Sequence, residues 1–127
     1  RVESYVDKHQ ASYHGVFHST PAEQQEDYIR PQENGSHFGC ARVTITDGAG
    51  AVTVTSPEDF SFNLSHYTQE EMTEKMHNYE LTESPDNVFC FDCKMSGVGS
   101  NSCGPRLAKA MQFDDETFTF KFDLTVE

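Results

Sequence analysis

The feature that most constrains the fold is a strict alternation of apolar and polar residues near the end of the chain. Apolar side chains occupy every second position, separated by Thr, Lys or Asp: Phe118, Phe120, Phe122, Leu124 and Val126. Successive side chains of a β-strand point to opposite faces of a sheet, so this spacing puts all five on one face. The pattern predicts a strand over residues 118–126.

Other segments show the same period of two. Phe60, Phe62 and Leu64 alternate with polar residues and predict a second strand. Residues 43–46 and 52–55 alternate on either side of 47–50 (DGAG), whose glycines can adopt the positive φ of a short turn, which predicts a β-hairpin. Residues 87–93 are apolar at most positions on both faces, so we expect a strand in the centre of a sheet.

One segment favours a helix instead. Thr68 and Glu71 have the spacing of a capping box, and Met72 and Met76 follow four residues apart, on one helical face. The sequence predicts a helix over residues 69–78, with both methionines turned to the core. Six or more short strands and a single helix indicate an all-β fold, an antiparallel β-sandwich with one short helix.

Composition narrows the possible partners. The 127 residues suit one domain, and 12% aromatic residues exclude a disordered chain. Nine basic against 21 acidic residues give a net charge of −12, which argues against nucleic acid and anionic membranes as partners. No apolar run approaches the roughly 20 residues of a membrane span.

The cysteines and the start of the chain bear on its origin. Four cysteines in a chain of this length are typical of the free thiols of a cytosolic protein, so we expect a cytoplasmic location. The sequence opens on Arg1 without a start Met or a signal-type apolar stretch, as expected of a segment cut from a longer protein.

No residue pattern identifies a catalytic or metal site. Cys90 and Cys93 have CxxC spacing but fall in a predicted strand, where residues three apart point to opposite faces. We therefore expect neither a disulfide nor a zinc site there. The six histidines form no HExxH motif, and no GxSxG nucleophile motif occurs. A pair of carboxylates for glycoside cleavage is not singled out among the 21 acids.

The order of four motifs carries a resemblance. They are residues 3–8 (ESYVDK), 28–35 (YIRPQENG), 60–68 (FSFNLSHYT) and 95–99 (MSGVG). They resemble the ENYxDR, YxxPQENG, FxFNxSxY and MGVGG segments found in this order in the C-terminal domain, or small chain, of family 2 β-galactosidases. The resemblance covers residues 1–127, essentially the whole chain.

This resemblance implies a fold and a parent enzyme. The family's C-terminal domain is a large antiparallel super-sandwich akin to galactose mutarotase, and this chain resembles somewhat less than its second half. The parent is a glycosidase, a hydrolase of carbohydrate metabolism that cleaves terminal β-D-galactosides such as lactose with retention. Its two catalytic glutamates and its magnesium and sodium sites belong to a central TIM barrel. The resemblance therefore implies that this segment alone is inactive, holds no cofactor and has the barrel-bearing remainder as its partner.

The resemblance also implies a substrate contact. After the MGVGG motif the family reads DxSWG, whose Trp forms a platform for the bound sugar; here residues 100–104 read SNSCG. Cys103 stands in the place of that Trp. The implied substrate-rim residues are Asn101, Ser102 and Cys103. A thiol stacks poorly on a sugar, so we expect the parent to bind the aglycone side differently or weakly, or to accept other substrates.

Two other functions remain compatible with a β-sandwich. A free-standing carbohydrate-binding module would need an aromatic platform, which exposed Tyr or Phe side chains could supply. An aldose-epimerase-like protein would need a His and an acid across a deep cleft. A sandwich cut in this way leaves strand edges without partners, which favours pairing between copies and hence a homo-oligomer.

Overall fold

A computed structural model describes residues 4–6, 12–96 and 102–127. The elements, in chain order, are α1 (Pro21–Gln24), β1 (His37–Thr46), β2 (Ala51–Ser65), α2 (Gln69–Glu74), a 3-10 turn (Asn78–Glu80), β3 (Val88–Asp92), a second 3-10 turn (Lys109–Met111) and β4 (Asp123–Val126). All strand pairs are antiparallel, and the helices are few and short. The predicted all-β, sandwich-like class is confirmed.

The long strand β2 organises the sheet. Along one edge it pairs with β1; along the other, β4 pairs with residues 52–55 and β3 with residues 61–65. We call residues 51–55 and their partners the hairpin end, and residues 60–65 and their partners the covered end. Between these ends, the register with β1 shifts near Cys40 and Arg42. The buried apolar side chains lie on or around β2: Tyr5, Val54, Phe60 and Met72.

The β1–β2 hairpin forms where the sequence predicts it. Val43 lies opposite Val54, and Ile45 opposite Val52. Asp47 closes the turn, since its Oδ1 accepts hydrogen bonds from the backbone N–H of Ala49 at 2.8 Å and of Gly50 at 2.9 Å. Gly48 has φ +87°, a left-handed value that favours glycine.

Helix α2 begins where predicted but ends early. The Thr68 Oγ1 accepts a hydrogen bond from the Glu71 N–H at 3.1 Å, which caps the first turn. Lys75 is already extended, at φ −80° and ψ 144°, so the predicted continuation to residue 78 is wrong. Met72 is buried, whereas Met76 lies beyond the helix and is 53% exposed. The expected core-facing methionine pair is therefore wrong for Met76.

Two strand predictions also need correction. The ladder partners of the last strand begin only at Asp123, so β4 is shorter than the predicted 118–126. Strand β3 pairs with β2 along one edge, and within the described residues its other edge has no partner. The predicted central position of β3 is thus wrong for this part of the chain. On one face of β3, the rings of Phe89 and Phe91 pack against each other with their centroids 5.5 Å apart.

Candidate functional site

Residues 31–36 form a junction at which segments distant in sequence meet. The Ser4 N–H donates to the Ser36 carbonyl at 2.7 Å, and the Ser4 Oγ accepts from the Phe38 N–H at 3.2 Å. The Ser36 hydroxyl donates to the Met95 Sδ at 3.5 Å. Ser36 is buried, so these contacts are shielded from water. We call residues 31–36 the junction loop.

The junction loop is held in shape by a hydrogen bond within the loop and by contacts with the segment that precedes it. Asn34 is buried; its Oδ1 accepts from the Glu26 N–H at 2.9 Å and its Nδ2 donates to the Gln32 carbonyl at 3.0 Å. Gly35 has φ +72°, and a Cβ built there would lie 3.0 Å from the Gln24 carbonyl oxygen. Both the backbone conformation and the close approach therefore require glycine. Much of the residue 28–35 motif thus has a structural role.

Glu33 connects the junction loop to the covered end of the sheet. Its Oε1 accepts a 2.7 Å hydrogen bond from the Nδ2 of Asn63, which is buried in β2. In the β2–β3 ladder, Asn63 lies opposite Cys90, and Ser61 lies opposite Asp92. Two signature motifs, residues 28–35 and 60–68, thus share one buried polar contact.

The electrostatics of this cluster favour neutral forms. Burial raises the pKa of Glu33, the nearby Asp92 carboxylate raises it further, and the Asn63 hydrogen bond partly offsets both effects. Burial also raises the pKa of Asp92. The pKa of the Cys90 thiol is raised by burial and then by the two carboxylates, so it is a poor nucleophile. The cluster orders the chain and offers no activated thiol.

A groove runs beside this cluster, between the junction loop and α2. Its volume is about 350 Å³, and its lining consists of Arg30, Pro31, Gln32, Glu33, Gln69, Met72 and Thr73. Several of these side chains can hydrogen-bond to hydroxyl groups. No Tyr or Phe is among the lining residues, so the groove lacks the aromatic platform that a carbohydrate-binding module would need.

The predicted substrate-rim residues come a few positions after Met95, which contacts the junction loop. Ser102 and Cys103 are exposed on a bend, and Asn101 lies outside the described residues. The chain leading into this loop is anchored: Met95 contacts Ser36, and the Ser96 Oγ accepts from the Phe113 N–H at 3.1 Å. The junction loop is thus in direct contact with the segment that precedes the rim. The sequence motifs include both segments, but they do not predict this contact.

The four cysteines are all free thiols. Cys90 lies within β3 and Cys93 one residue past its end. Burial, and then Asp59, raise the pKa of Cys40 to about 11. In residues 4–6, 12–96 and 102–127, no three His, Cys, Asp or Glu side chains converge as a metal site.

The α-helices of the described residues have at most six residues, and none of them is long and apolar enough to cross a bilayer. This finding agrees with the lack of a long apolar run in the sequence.

The fold and the junction define an all-β, sandwich-like domain whose signature segments converge on one buried loop. The model of one protein family, described as the beta galactosidase small chain, matches residues 1–124. The chain therefore belongs to the β-galactosidase small-chain family.

Individual relatives agree with this assignment. The chain is 50% identical over 122 residues to a β-galactosidase of Actinobacillus pleuropneumoniae and 41% identical over 121 residues to one of Staphylococcus xylosus. A β-galactosidase of Kluyveromyces lactis is 31% identical over 127 residues. Each match covers at least 95% of this chain but only 12% of the relative, so the chain corresponds to part of a much larger enzyme.

Proposed function

We propose that this chain is a non-catalytic, C-terminal part of a retaining β-galactosidase that hydrolyses terminal β-D-galactosides such as lactose. One observation carries the proposal: almost all of the chain matches β-galactosidases, yet it spans about 12% of their length. A retaining glycosidase needs two facing carboxyl groups about 5 Å apart. We assign that pair to the TIM barrel in the remaining length, which is the partner of this chain.

The contribution of the chain itself is part of the substrate-pocket rim, made by Asn101, Ser102 and Cys103. A rim positions the sugar and excludes water without breaking bonds. The contacts of Met95 and Ser96, in the preceding segment, support this role, since rim residues must keep a fixed position relative to the substrate. The thiol at Cys103 would then contact the aglycone side of the substrate.

In the whole enzyme, the magnesium and sodium sites belong to the barrel region and not to this chain. The four free thiols support a cytoplasmic location. Within the described residues the outer edge of β3 has no strand partner, and an edge of this kind supports pairing between copies in a homo-oligomer.

The first experiment measures activity without the remaining domains. The purified chain is incubated with a chromogenic β-galactoside beside a mock preparation. We expect no turnover above the mock, because both carboxyl groups of a retaining mechanism lie elsewhere. Turnover that scales with the amount of chain would show that it carries its own catalytic pair.

The second experiment places the chain in a whole enzyme. In a chimera, these 127 residues replace the matching segment of the Actinobacillus pleuropneumoniae β-galactosidase, and Cys103→Trp is compared with Cys103→Ser. An added aromatic face can stack on the sugar, so Cys103→Trp should change KM or aglycone preference more than kcat. The matched Cys103→Ser variant, which adds no such face, should stay close to the parent chimera. Unchanged kinetics in Cys103→Trp would remove Cys103 from the rim.

A further inference from the structure

The segment that carries Ser102 and Cys103 leaves the sheet at the end of β3 and returns to the same strand. On the outgoing side, every residue of β3 is paired with β2. On the return side, the ring centroids of Phe120 and Phe122 lie 6.1 Å and 4.8 Å from that of Phe91, in β3. Both ends of the segment are therefore attached to one strand of the sheet.

Between this attachment and the rim residues, the outgoing and returning parts of the segment contact each other directly. The Ser96 Oγ accepts a hydrogen bond from the Phe113 N–H at 3.1 Å. The Lys94 Nζ lies 3.7 Å from the Asp115 carboxylate and 5.8 Å from the centroid of the Phe113 ring. We call Lys94, Ser96, Phe113 and Asp115 the clasp.

The contacts of the clasp differ in strength. The side chains of Lys94 and Asp115 are 64% and 56% exposed, and an exposed ion pair contributes little to stability. Ser96 and Phe113 are half-buried, so water competes less well for their hydrogen bond. The Phe113 ring also packs edge-on against Phe118, with the centroids 5.2 Å apart, which helps to fix the backbone that donates this bond. The bond between Ser96 and Phe113 is thus the main contact of the clasp.

The clasp restricts the segment on which the rim residues lie. Ser96 and Phe113 are 17 positions apart, and Ser102 and Cys103 come between them. Joining the ends of a flexible segment reduces the number of conformations that it can adopt. Ser102 and Cys103 are exposed, so their positions depend on how the segment that carries them is held. Binding residues on loops are commonly positioned in this way by a rigid scaffold.

We propose that Ser96 is a positioning residue for galactoside binding, which acts by holding Ser102 and Cys103 in place through its hydrogen bond to Phe113. This inference rests on the proposed function, which puts those two residues in the substrate rim. Ser96 itself does not contact the sugar. A contact made equally to the substrate and to the transition state changes KM and leaves kcat unchanged, so loss of the clasp should act on KM.

The test compares two serines that make the same kind of hydrogen bond. In the chimera with the Actinobacillus pleuropneumoniae enzyme, Ser96→Ala removes the acceptor, whereas Ser96→Thr keeps a hydroxyl. Ser65→Ala is the matched control, because the half-buried Ser65 Oγ also accepts a backbone N–H, that of Tyr67, at 3.0 Å. Ser65 pairs with Val88, at the opposite end of β3 from the rim segment.

Steady-state kinetics with a chromogenic galactoside give the first readout. We expect Ser96→Ala to raise KM about three- to tenfold, the range that corresponds to one net hydrogen bond, with kcat changed by less than about twofold. Ser96→Thr should restore KM to within about twofold of the unsubstituted chimera. Ser65→Ala should leave both constants unchanged. An equal rise of KM in Ser96→Ala and Ser65→Ala would reduce Ser96 to a general structural role and overturn the proposal.

Hydrogen exchange without substrate gives the second readout. Peptides that cover residues 102–112 should exchange at least about threefold faster in Ser96→Ala than in the unsubstituted chimera, because a segment released at one end opens more often. The same peptides should be unchanged in Ser65→Ala. Unchanged exchange in Ser96→Ala would show that the clasp does not hold the segment, and the proposal would be wrong.

The combined outcomes separate this inference from the proposed function. If Cys103→Trp changes KM but Ser96→Ala does not, the rim assignment stands and the positioning role of Ser96 is wrong. If Ser96→Ala speeds exchange but neither variant changes KM, the clasp holds a segment that does not bind substrate. In that case the rim assignment of the proposed function has failed, and the positioning role fails with it.

Discussion

The two ends of β2 differ in which side chains they bury. At the covered end, buried polar side chains of β2 find partners inside the chain: Asn63 donates to Glu33, which the junction loop supplies. At the hairpin end, the polar side chains face solvent, whereas the rows of apolar residues that pair across β1, β2 and β4 extend to the exposed Leu124 and Val126. The buried amide of Asn63 thus finds its partner within the chain, whereas the apolar rows stay partly exposed.

The difference follows from how the two kinds of group are satisfied. A buried amide or carboxylate needs a partner at a fixed distance and angle, so its partner must be positioned by the same folding unit. The hydrophobic effect is not directional and depends on the apolar area removed from water, so any surface of complementary shape can cover an apolar face. A domain that belongs to a larger enzyme can therefore leave apolar area uncovered at a smaller cost than it can bury a polar group without a partner.

The largest expected effect on the free energy of unfolding distinguishes a buried residue at the covered end from an exposed one at the hairpin end. Phe60→Ala removes a ring that is 1% exposed, and it should lower the free energy of unfolding by about 3–5 kcal/mol. Val126→Ala, at a position 70% exposed, should change it by about 0.5 kcal/mol or less. Urea denaturation of the 127-residue chain measures both. Similar losses in the two variants would mean that the hairpin end is as well packed as the covered end.

The next largest effect on the free energy of unfolding is expected for the polar contact between Asn63 and Glu33 at the covered end. Asn63→Leu leaves the half-buried Glu33 carboxylate without its donor and should cost about 1–3 kcal/mol of unfolding free energy. At the hairpin end, Thr53→Val breaks an exposed hydroxyl contact with Thr44 and should cost about 0.2–1 kcal/mol. A double-mutant cycle of Asn63→Leu with Glu33→Ala isolates the pair, because each substitution removes one partner of the hydrogen bond. Strict additivity in that cycle would exclude a direct contribution of this hydrogen bond.

The helix beside the covered end gives a smaller effect. Thr68→Ala removes the side chain that caps α2, and it should lower the free energy of unfolding by about 1 kcal/mol. Thr73→Ala is the matched control, because Thr73 is exposed and its hydroxyl donates back to the Gln69 carbonyl of the same helix. The difference between the two urea midpoints is the measurement. A larger loss in Thr73→Ala would contradict the capping role of Thr68.

The smallest effect is a pH dependence of opposite sign at the two ends. Burial raises the pKa of Glu33 above 4.5 and that of Asp92 above 3.8, so their contribution to stability is full below about pH 4 and is lost as pH rises. The double variant Glu33→Gln, Asp92→Asn should therefore gain stability relative to the unsubstituted chain between about pH 4 and 7.

Asp47 at the hairpin end provides the control for that experiment. Hydrogen bonds from Ala49 and Gly50 lower its pKa below 3.8, so its contribution is present above that value and is lost as pH falls. Asp47→Asn should thus lose stability relative to the unsubstituted chain as pH rises from the acid side. Melting temperatures at several pH values decide both signs, and parallel curves for all three proteins would contradict the assigned shifts.

Local signals in the sequence predicted the local structure. The capped start of α2 at Thr68 and the turn closed by Asp47 depend on residues within a few positions of each other, so a short stretch of sequence contains the whole interaction. The end of α2 was missed because no residue at 75 signals a stop; Lys75 is extended even though Lys is a good helix former.

The sequence alone did not predict contacts between segments that are distant along the chain. The motif residues Glu33 and Asn63 were visible in the sequence, but their 2.7 Å contact joins positions 30 residues apart and depends on the path of the chain. The same holds for Ser36 and Met95, which are 59 residues apart. Of the predicted rim, Ser102 and Cys103 are exposed, and their role remains a prediction.

By itself, the sequence determined the all-β class, the hairpin and the family, because alternation, turn residues and ordered motifs are properties of the chain taken in short pieces. Only the tertiary structure decided that β2 is central, that β3 lies at an edge of the described sheet, and that the motifs meet at the junction loop. These features depend on which strands pair, and pairing is set by the burial of whole faces and not by any single segment. The apolar face of β4 shows this most directly: alternation fixes which residues share it, and only the packing of the folded chain leaves Leu124 and Val126 uncovered.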